Sequence, residues 1–274
     1  MSHINSKLNY IKNLLFNPKN IIVRLAQKNI IKMSDEKFLK LLYYQKMKKE
    51  LDLENPKTFN EKLQWLKIHD RKMIYTTMVD KYEAKEYVAS IIGEEYVIPT
   101  LGIYNSFDEI DFDKLPNQFV IKCTHDSGGL VIVKDKKTIN IDKVKRKINK
   151  CLKHNFYFSG REWPYKNVKP RIIAEKYMID ESGVELKDYK FFCFNGKFKI
   201  LLVCSNRSVN LEETWFDRDF KLIDMTEGGH PINKKIRKPK NYEKMIKLAE
   251  KLSENITFLR VDFYEIGGKI YFGE

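Results

Sequence analysis

Residues 188–206, DYKFFCFNGKFKILLVCSN, constrain the fold more than any other stretch of the chain. Two runs of aromatic and β-branched residues flank Asn195-Gly196, a dipeptide suited to the positive φ angles of a two-residue turn, so the segment reads as an antiparallel hairpin. The last fifteen residues, RVDFYEIGGKIYFGE, repeat the pattern around Gly267-Gly268. Tight turns link neighbouring strands, whereas a doubly wound parallel sheet needs helical crossovers; the second half is therefore expected to be α+β with antiparallel sheets. TWFDRDF reads as an edge strand and NYEKMIKLAEKLSE as a helix. Upstream, QFVIKC and LVIVKD are short strands joined by THDSGG, followed by the helical DKVKRKINKCLKH and the strand RIIAEKYM.

The first hundred residues have helical spacing instead. Apolar positions recur at three and four through DEKFLKLLYYQKMKK. TFNEKLQWLKIHD opens with a capping box, Thr58 and Glu61. MVDKYEAKEYVASII reads as one helix stopped by Gly93. No internal repeat or low-complexity linker interrupts the chain.

With 43% hydrophobic and 13% aromatic residues over 274 positions, the chain can bury a sizeable core and is not a disordered protein. Lysine and arginine number 51 against 37 aspartates and glutamates, a net charge of +14 spread along the sequence. Such a surplus suits phosphorylated ligands, acidic polymers or an anionic membrane, and equally a set of solvated lysine faces. Cys123, Cys151, Cys193 and Cys204 share no C-x-x-C spacing, which favours buried reduced thiols and a cytoplasmic setting over zinc or disulfides. No segment has the continuous apolar length of a membrane span. Leu8, Ile11, Leu14 and Leu15 recur at helical spacing among lysines, a pattern compatible with a helix lying on anionic lipid or packed on its own domain.

The closing hairpin carries the most pointed candidate chemistry. If its loop is the three-residue Ile266-Gly267-Gly268, Glu265 faces Lys269, and Arg260, Asp262 and Glu274 share one face. The two carboxylates are then diagonal neighbours roughly 7 Å apart at Cα, within reach of one magnesium ion. A two-residue Gly-Gly turn points Glu274 the other way. Lys122 ends a strand just before THDSGG, a turn able to present backbone N–H groups to phosphate oxygens, although no Walker G-K-[ST] is present. Glu175 and Lys176 end a third strand, where a carboxylate can accept from an adenine amino group or ribose hydroxyls. Asp188 and Lys190, two apart, share a strand face.

In order, DKYEAK, the strand lysine before a glycine-bearing hairpin, AEKYM, DYKFF, RVDF and a final GE resemble the ATP-grasp superfamily. NPKTFNEKLQWLKIHDR, FVIKCTHDSGG, REWPY and DYKFFCFNGKFK are similar to blocks of its TupA-like branch, named for teichuronopeptide biosynthesis and often labelled glycosyltransferase, over about residues 50 to 274. The resemblance implies a helical N-terminal region (1–75), a connecting segment (76–115) and two lobes (116–180 and 181–274) around a nucleotide cleft. It implies Lys122 and Lys85 as phosphate lysines, Ser127, Gly128 and Gly129 as the phosphate-covering loop, Glu175, Lys176 and Tyr177 as the adenine-ribose hinge, and Asp262 and Glu274 as magnesium ligands. Arg260, on the metal face, is expected to hold the acyl phosphate or the substrate carboxylate bidentately, with a structural ion pair to Asp262 as its other reading, and Lys190 is the second catalytic candidate.

Two departures stand out. Asp126 occupies a place where the branch has glycine, setting a carboxylate beside the triphosphate unless metal or His125, here also a candidate proton carrier, intervenes. The family's chain also continues through another strand after its GE, so an end at Glu274 reads as C-terminally incomplete. By resemblance the expected reaction is ATP-dependent ligation with Mg2+: a sugar or uronic-acid carboxylate becomes an acyl phosphate, captured by an amino acid or other amine, in capsule or cell-surface polysaccharide synthesis. The expected setting is cytoplasmic or peripheral at the inner membrane face. A nucleotide-sugar glycosyltransferase is the alternative, although the acidic pair Asp262 and Glu274 falls at the far end of the chain, after the lysine and glycine-bearing elements. Nucleic acid is not an expected partner, since charge is the one feature favouring it.

Overall fold

Helix ends follow local signals. The computed structural model describes residues 18–274 except 184, 208 and 227; Leu8, Ile11, Leu14 and Leu15 lie outside the described residues. Helix α1 spans Pro18–Gln27, α2 Asp35–Met47 and α3 Phe59–His69. The capping box of α3 is formed: Thr58 Oγ1 accepts from the Glu61 N–H at 3.3 Å, and the Glu61 carboxylate accepts from the Thr58 N–H at 2.8 Å. The single helix expected over MVDKYEAKEYVASII is two, α4 (Ile74–Val79) and α5 (Glu83–Ile92), separated at the buried Asp80 in extended conformation. Aspartate's short carboxylate competes for backbone donors inside a helix, which makes it a natural break. Gly93 ends α5 at φ +118°, as its sequence position suggests.

Strands β1 (Thr100–Tyr104), β2 (Phe119–Cys123), β3 (Leu130–Val133) and β4 (Ile172–Lys176) form a four-stranded sheet in the order β1-β4-β2-β3. β1 comes from the stretch read as a connecting segment, yet it pairs antiparallel with β4, Thr100 against Glu175. Helices α6 (Ile141–Leu152) and α7 (Tyr157–Gly160) fall between β3 and β4 in sequence. The second sheet holds β5 (Asp188–Phe194), β6 (Lys197–Ser205), β7 (Glu212–Asp217), β8 (Leu222–Ile223), β9 (Phe258–Ile266) and β10 (Lys269–Phe272). Its order is β10-β9-β5-β6-β7-β8, antiparallel throughout. TWFDRDF is not the edge: Phe220 turns the chain at φ +63° and β8 pairs outside β7. Asn195-Gly196 makes the expected turn, both residues at positive φ.

The chain divides into two compact units. One comprises residues 1–80, 123–129 and 147–170. Its core joins Val23 and Ala26 of α1 to Phe38, Leu39 and Tyr43 of α2. Beside them the Asp35 carboxylate gathers Arg71 at 2.6 Å, Arg161 at 3.4 Å and the Tyr157 hydroxyl, while the Arg161 guanidinium lies 4.3 Å from the Phe38 ring centre.

The other unit contains both sheets. Alternate residues of the six-stranded sheet, among them Phe191, Phe198, Leu201, Val203, Val261 and Phe263, pack against Tyr242, Met245 and Ala249 of helix α8 (Tyr242–Leu252) and Ala84 and Val88 of α5. Truncating one such fully buried phenylalanine to alanine costs about 3–5 kcal/mol. The period of two that buries this face turns Asp188, Lys190, Arg260, Asp262 and Tyr264 to the opposite one. Across that face Trp215 pairs with Leu202, Leu202 with Lys190 and Lys190 with Asp262, so an apolar end runs into a charged end. Among the described residues no helix is long and apolar enough to cross a membrane. Cys123, Cys193 and Cys204 are buried free thiols and Cys151 is a half-buried one.

Candidate functional site

The closing hairpin corrects one step of the sequence reading and keeps its outcome. Lys269 pairs with Ile266 and Ile270 with Glu265, so the turn has two residues, Gly267 and Gly268 at φ +57° and +71°. Strict alternation from that turn would point Glu274 away from Asp262. Instead the Asp262 carbonyl accepts from the Gly273 N–H and the Asp262 N–H donates to the Glu274 carbonyl, both at 2.7 Å. Two residues oppose one, a bulge that restores the parity. Gly273 permits it, because a Cβ there would stand 2.8 Å from the Tyr264 ring. The Glu274 carboxylate is 3.6 Å from Lys81 Nζ. Burial alone would raise its pKa, but Lys81, Lys122, Lys190 and Arg260 together lower it.

Asp262 is buried at the centre of β9 and both its oxygens are engaged. Arg260 grips it through two nitrogens, at 2.8 and 3.0 Å, and Lys190, its cross-strand partner, completes the cluster. The ion-pair reading of Arg260 thus describes this state. Nearby, the buried Asp188 binds Arg207 and lies 4.0 Å from Lys190 Nζ. Burial pushes its carboxyl pKa up, beyond what Lys190 and Arg207 take back. Burial and the neighbouring Asp188 carboxylate push the Tyr264 hydroxyl pKa well above its usual value.

Three further charges converge from different elements. Glu175, on β4, is buried between Lys85 Nζ of α5 at 2.5 Å and Lys122 Nζ of β2 at 2.7 Å. Lys85 also donates to the Ile98 carbonyl at 2.8 Å and Thr100 Oγ1 at 3.0 Å. Desolvation would raise the Glu175 pKa; the two ammonium groups outweigh it and hold the carboxyl below its usual range. For Lys122, desolvation is outweighed by Glu175, Glu274 and Asp188, and its pKa rises. For Lys85, desolvation prevails and the pKa falls. Lys122 therefore feels the charge of carboxylates from both sheets.

Glu175 is expected to offer its oxygens to a nucleoside; both are taken by lysines, Oε1 by Lys85 and Oε2 by Lys122. Lys176 is exposed, its N–H donating to the Pro99 carbonyl at 3.0 Å, and Tyr177 follows it half-buried. Ser127, Gly128 and Gly129 belong to the helical unit. There the Ser127 N–H donates to Asp126 Oδ1 at 2.7 Å, so the carboxylate expected to repel a triphosphate satisfies its own loop. Asp126 is buried, 3.8 Å from His154 Nδ1. His125 is buried as well, its Nε2 donating toward the Cys151 and His154 carbonyls at 3.2 and 3.1 Å. Gly129 has a packing reason: a Cβ would sit 2.7 Å from Cys123 Sγ and 3.2 Å from Cys151 Cβ.

Sequence reasoning passed over Arg207, Tyr264 and the role of Lys81 at Glu274. Arg207 stands in a loop with no motif, and Tyr264 was legible only as a same-face neighbour of Asp262.

A protein-family model described as TupA-like ATPgrasp matches residues 61–274. The chain belongs to the TupA-like ATP-grasp family. Its fold is accordingly ATP-grasp, with a helical N-terminal region and antiparallel sheets. Among solved structures, this ATP-grasp chain is similar to the D-alanine–D-alanine ligase of Bacillus anthracis complexed with ATP, at 16% identity over 72% of this chain and 52% of that one, TM-score 0.42. It is also similar to the ATP-grasp ligase PsnB complexed with a phosphomimetic variant of its minimal precursor, Mg and ADP, at 8% identity over 78% and 56%, TM-score 0.42. A RimK domain ATP-grasp protein of Sphaerobacter thermophilus gives 10% identity over 72% and 58%, TM-score 0.39. The chain spans between half and three-fifths of the length of these proteins. No curated protein matches it.

Proposed function

We propose that this ATP-grasp chain is an ATP-dependent ligase that activates a carboxylate as an acyl phosphate for capture by an amine, in the synthesis of a cell-surface or capsular polysaccharide. One observation carries the reading: four lysines and two arginines from α5, β2, β5, β9 and two loops converge on four carboxylates within a family-matched ATP-grasp fold. The cations outnumber the acids, which favours a polyphosphate.

Lys85 and Lys122 bind phosphate oxygens as the nucleotide displaces part of their hold on Glu175, which keeps both lysines in place. Lys190 and Arg260 face the phosphoryl group and balance its charge as it leaves ADP for the substrate carboxylate. Asp262 and Glu274 fit Mg2+: both are hard oxygen donors on adjacent strands. Among the described residues no third protein ligand joins them. That suits an ion whose remaining shell comes from water and phosphate. Held by Asp262 and Glu274, Mg2+ would supply positive charge that offsets the negative charge of the phosphates. We assign Lys176 and Tyr177 to the nucleoside side and Ser127 to Gly129 to the phosphates, with 116–180 and 181–274 as the two lobes. A uronic-acid carboxylate and an amino acid are the proposed substrate pair, in keeping with the +14 charge, which also supports a cytoplasmic enzyme in peripheral contact with an anionic inner membrane face.

The test is ADP and phosphate release by the protein with Mg-ATP, pooled uronic acids and pooled amino acids. Release that requires both a carboxylate and an amine, with an amide product by mass spectrometry, is the expected result. Sugar transfer from a nucleotide sugar without ATP would overturn the reading.

A further inference from the structure

Every cation of the site has a carboxylate partner, but their cover differs. The side chains of Lys85, Lys122 and Lys190 are 9%, 17% and 12% exposed, whereas Arg260 and Arg207 are 43% and 52% exposed. Of the two, Arg260 spends both Nε and a terminal nitrogen on Asp262. Arg207 meets the Asp188 carboxylate through one terminal nitrogen.

The segment that carries Arg207 is built to hold it. Asn206 turns at φ +54°, and its N–H donates to the Glu185 carboxylate at 2.5 Å. Glu212 Oε2 accepts from Ser205 Oγ at 3.2 Å and from the side-chain amides of Asn206 and Asn233, each at 2.6 Å. Asp188, on which the guanidinium rests, is buried and lies 4.0 Å from Lys190 Nζ. Lys190 in turn holds Asp262, so Arg207 joins the charged face of β5 and β9 through Asp188. The half-exposed guanidinium therefore stands one carboxylate away from Lys190, which is assigned to the phosphoryl group.

The geometry points to Arg207 as a phosphate-binding residue of the nucleotide site, with Asp188 as the residue that positions it. This rests on the ATP-dependent ligase reading. A planar guanidinium fixed through one edge presents its remaining N–H groups in the fork that matches phosphate oxygens, which a lysine at the same place does not. A buried carboxylate behind it removes the rotamer freedom that a surface arginine otherwise gives up on binding.

The experiment is calorimetry on the full chain with three probes: Mg2+ with the non-hydrolysable analogue AMP-PNP, adenosine, and tripolyphosphate. Arg207→Gln should weaken AMP-PNP and tripolyphosphate binding about tenfold and leave adenosine unchanged, with Arg207→Lys recovering part of the loss. Asp188→Asn should weaken the phosphate probes in the same direction, less strongly. A fall in thermal stability with unchanged AMP-PNP affinity, or an equal loss for AMP-PNP and adenosine, would show that Arg207 only holds its loop and overturn the inference. The probes also separate the two claims. Tripolyphosphate bound by the wild type and lost from Arg207→Gln, with AMP-PNP not bound by either, sinks the nucleotide reading and keeps the phosphate site; failure of both probes with the wild type sinks both.

Discussion

Replacing Lys122 by methionine tests whether the lysine pair is part of the fold or a surface feature. On sequence alone Lys122 is a cleft lysine whose loss should change stability by no more than about 0.5 kcal/mol. The structure alters that expectation. Lys122 is one of two cations on a buried carboxylate, at 2.7 Å, and methionine leaves Glu175 with Lys85 alone. Removing one partner of a buried pair costs about 3–5 kcal/mol. Lys85 remains, so the lower end, about 3 kcal/mol, is expected. At ~2–4 °C per kcal/mol for a domain of this size, Tm should fall by about 6–12 °C at pH 7. The effect has a defined pH dependence. Glu175 has a lowered pKa in the folded state, so its contribution is present above its unfolded pKa and is lost as pH falls through the folded value. Lys122 has a raised pKa, so its contribution is present below its unfolded pKa and is lost only as pH rises through the folded value. The wild-type advantage should therefore be full near neutrality, shrink in acid as Glu175 takes a proton, and shrink again in strong alkali. Differential scanning calorimetry across pH measures it, with Mg-ATP affinity as a second readout expected to fall. A Tm within about 1 °C of wild type at pH 7 would refute the argument that the Glu175 charge depends on Lys122.

Gly273→Ala should lower stability by about 1–3 kcal/mol in chemical denaturation, since its Cβ meets the Tyr264 ring at 2.8 Å and the bulge must shift; an unchanged midpoint would show that Tyr264 yields freely. Gly129→Ala should cost a similar amount through Cys123 and Cys151, and Cys123→Ala should rescue part of it in the double variant. Gly267→Asn, at φ +57° in a two-residue turn, should leave Tm within about 2 °C, whereas Gly267→Val should lower it clearly. Glu274→Gln should weaken the Mg2+ dependence of ATP binding at least severalfold with little change in metal-free nucleotide affinity; identical magnesium titrations would remove Glu274 from the metal site.

Much of this molecule was decided locally and so could be read from the sequence. The Asn195-Gly196 turn, the Thr58 and Glu61 capping box, the Gly93 stop and the alternation that buries Phe191 and Phe263 depend on residues within a few positions of one another. The same alternation placed Asp188 with Lys190 and Arg260 with Asp262 on single strand faces. The ordered blocks from Asn55 to Glu274 carried the family resemblance.

What remained open depended on contacts between distant segments. The face taken by Glu274 follows from a bulge that Tyr264 and Gly273 shape together, and no count of loop residues contains it. The pairing of β9 with β5 brings Lys190 to Asp262, and the meeting of α5, β2 and β4 turns two lysines and a strand-end glutamate into one buried cluster. Arg207 acquires a place only when β6 delivers it to Asp188. The physical reason is range: turns, caps and periodicity act between near neighbours in the chain, whereas a buried charge is tolerable only where the finished fold supplies its partner.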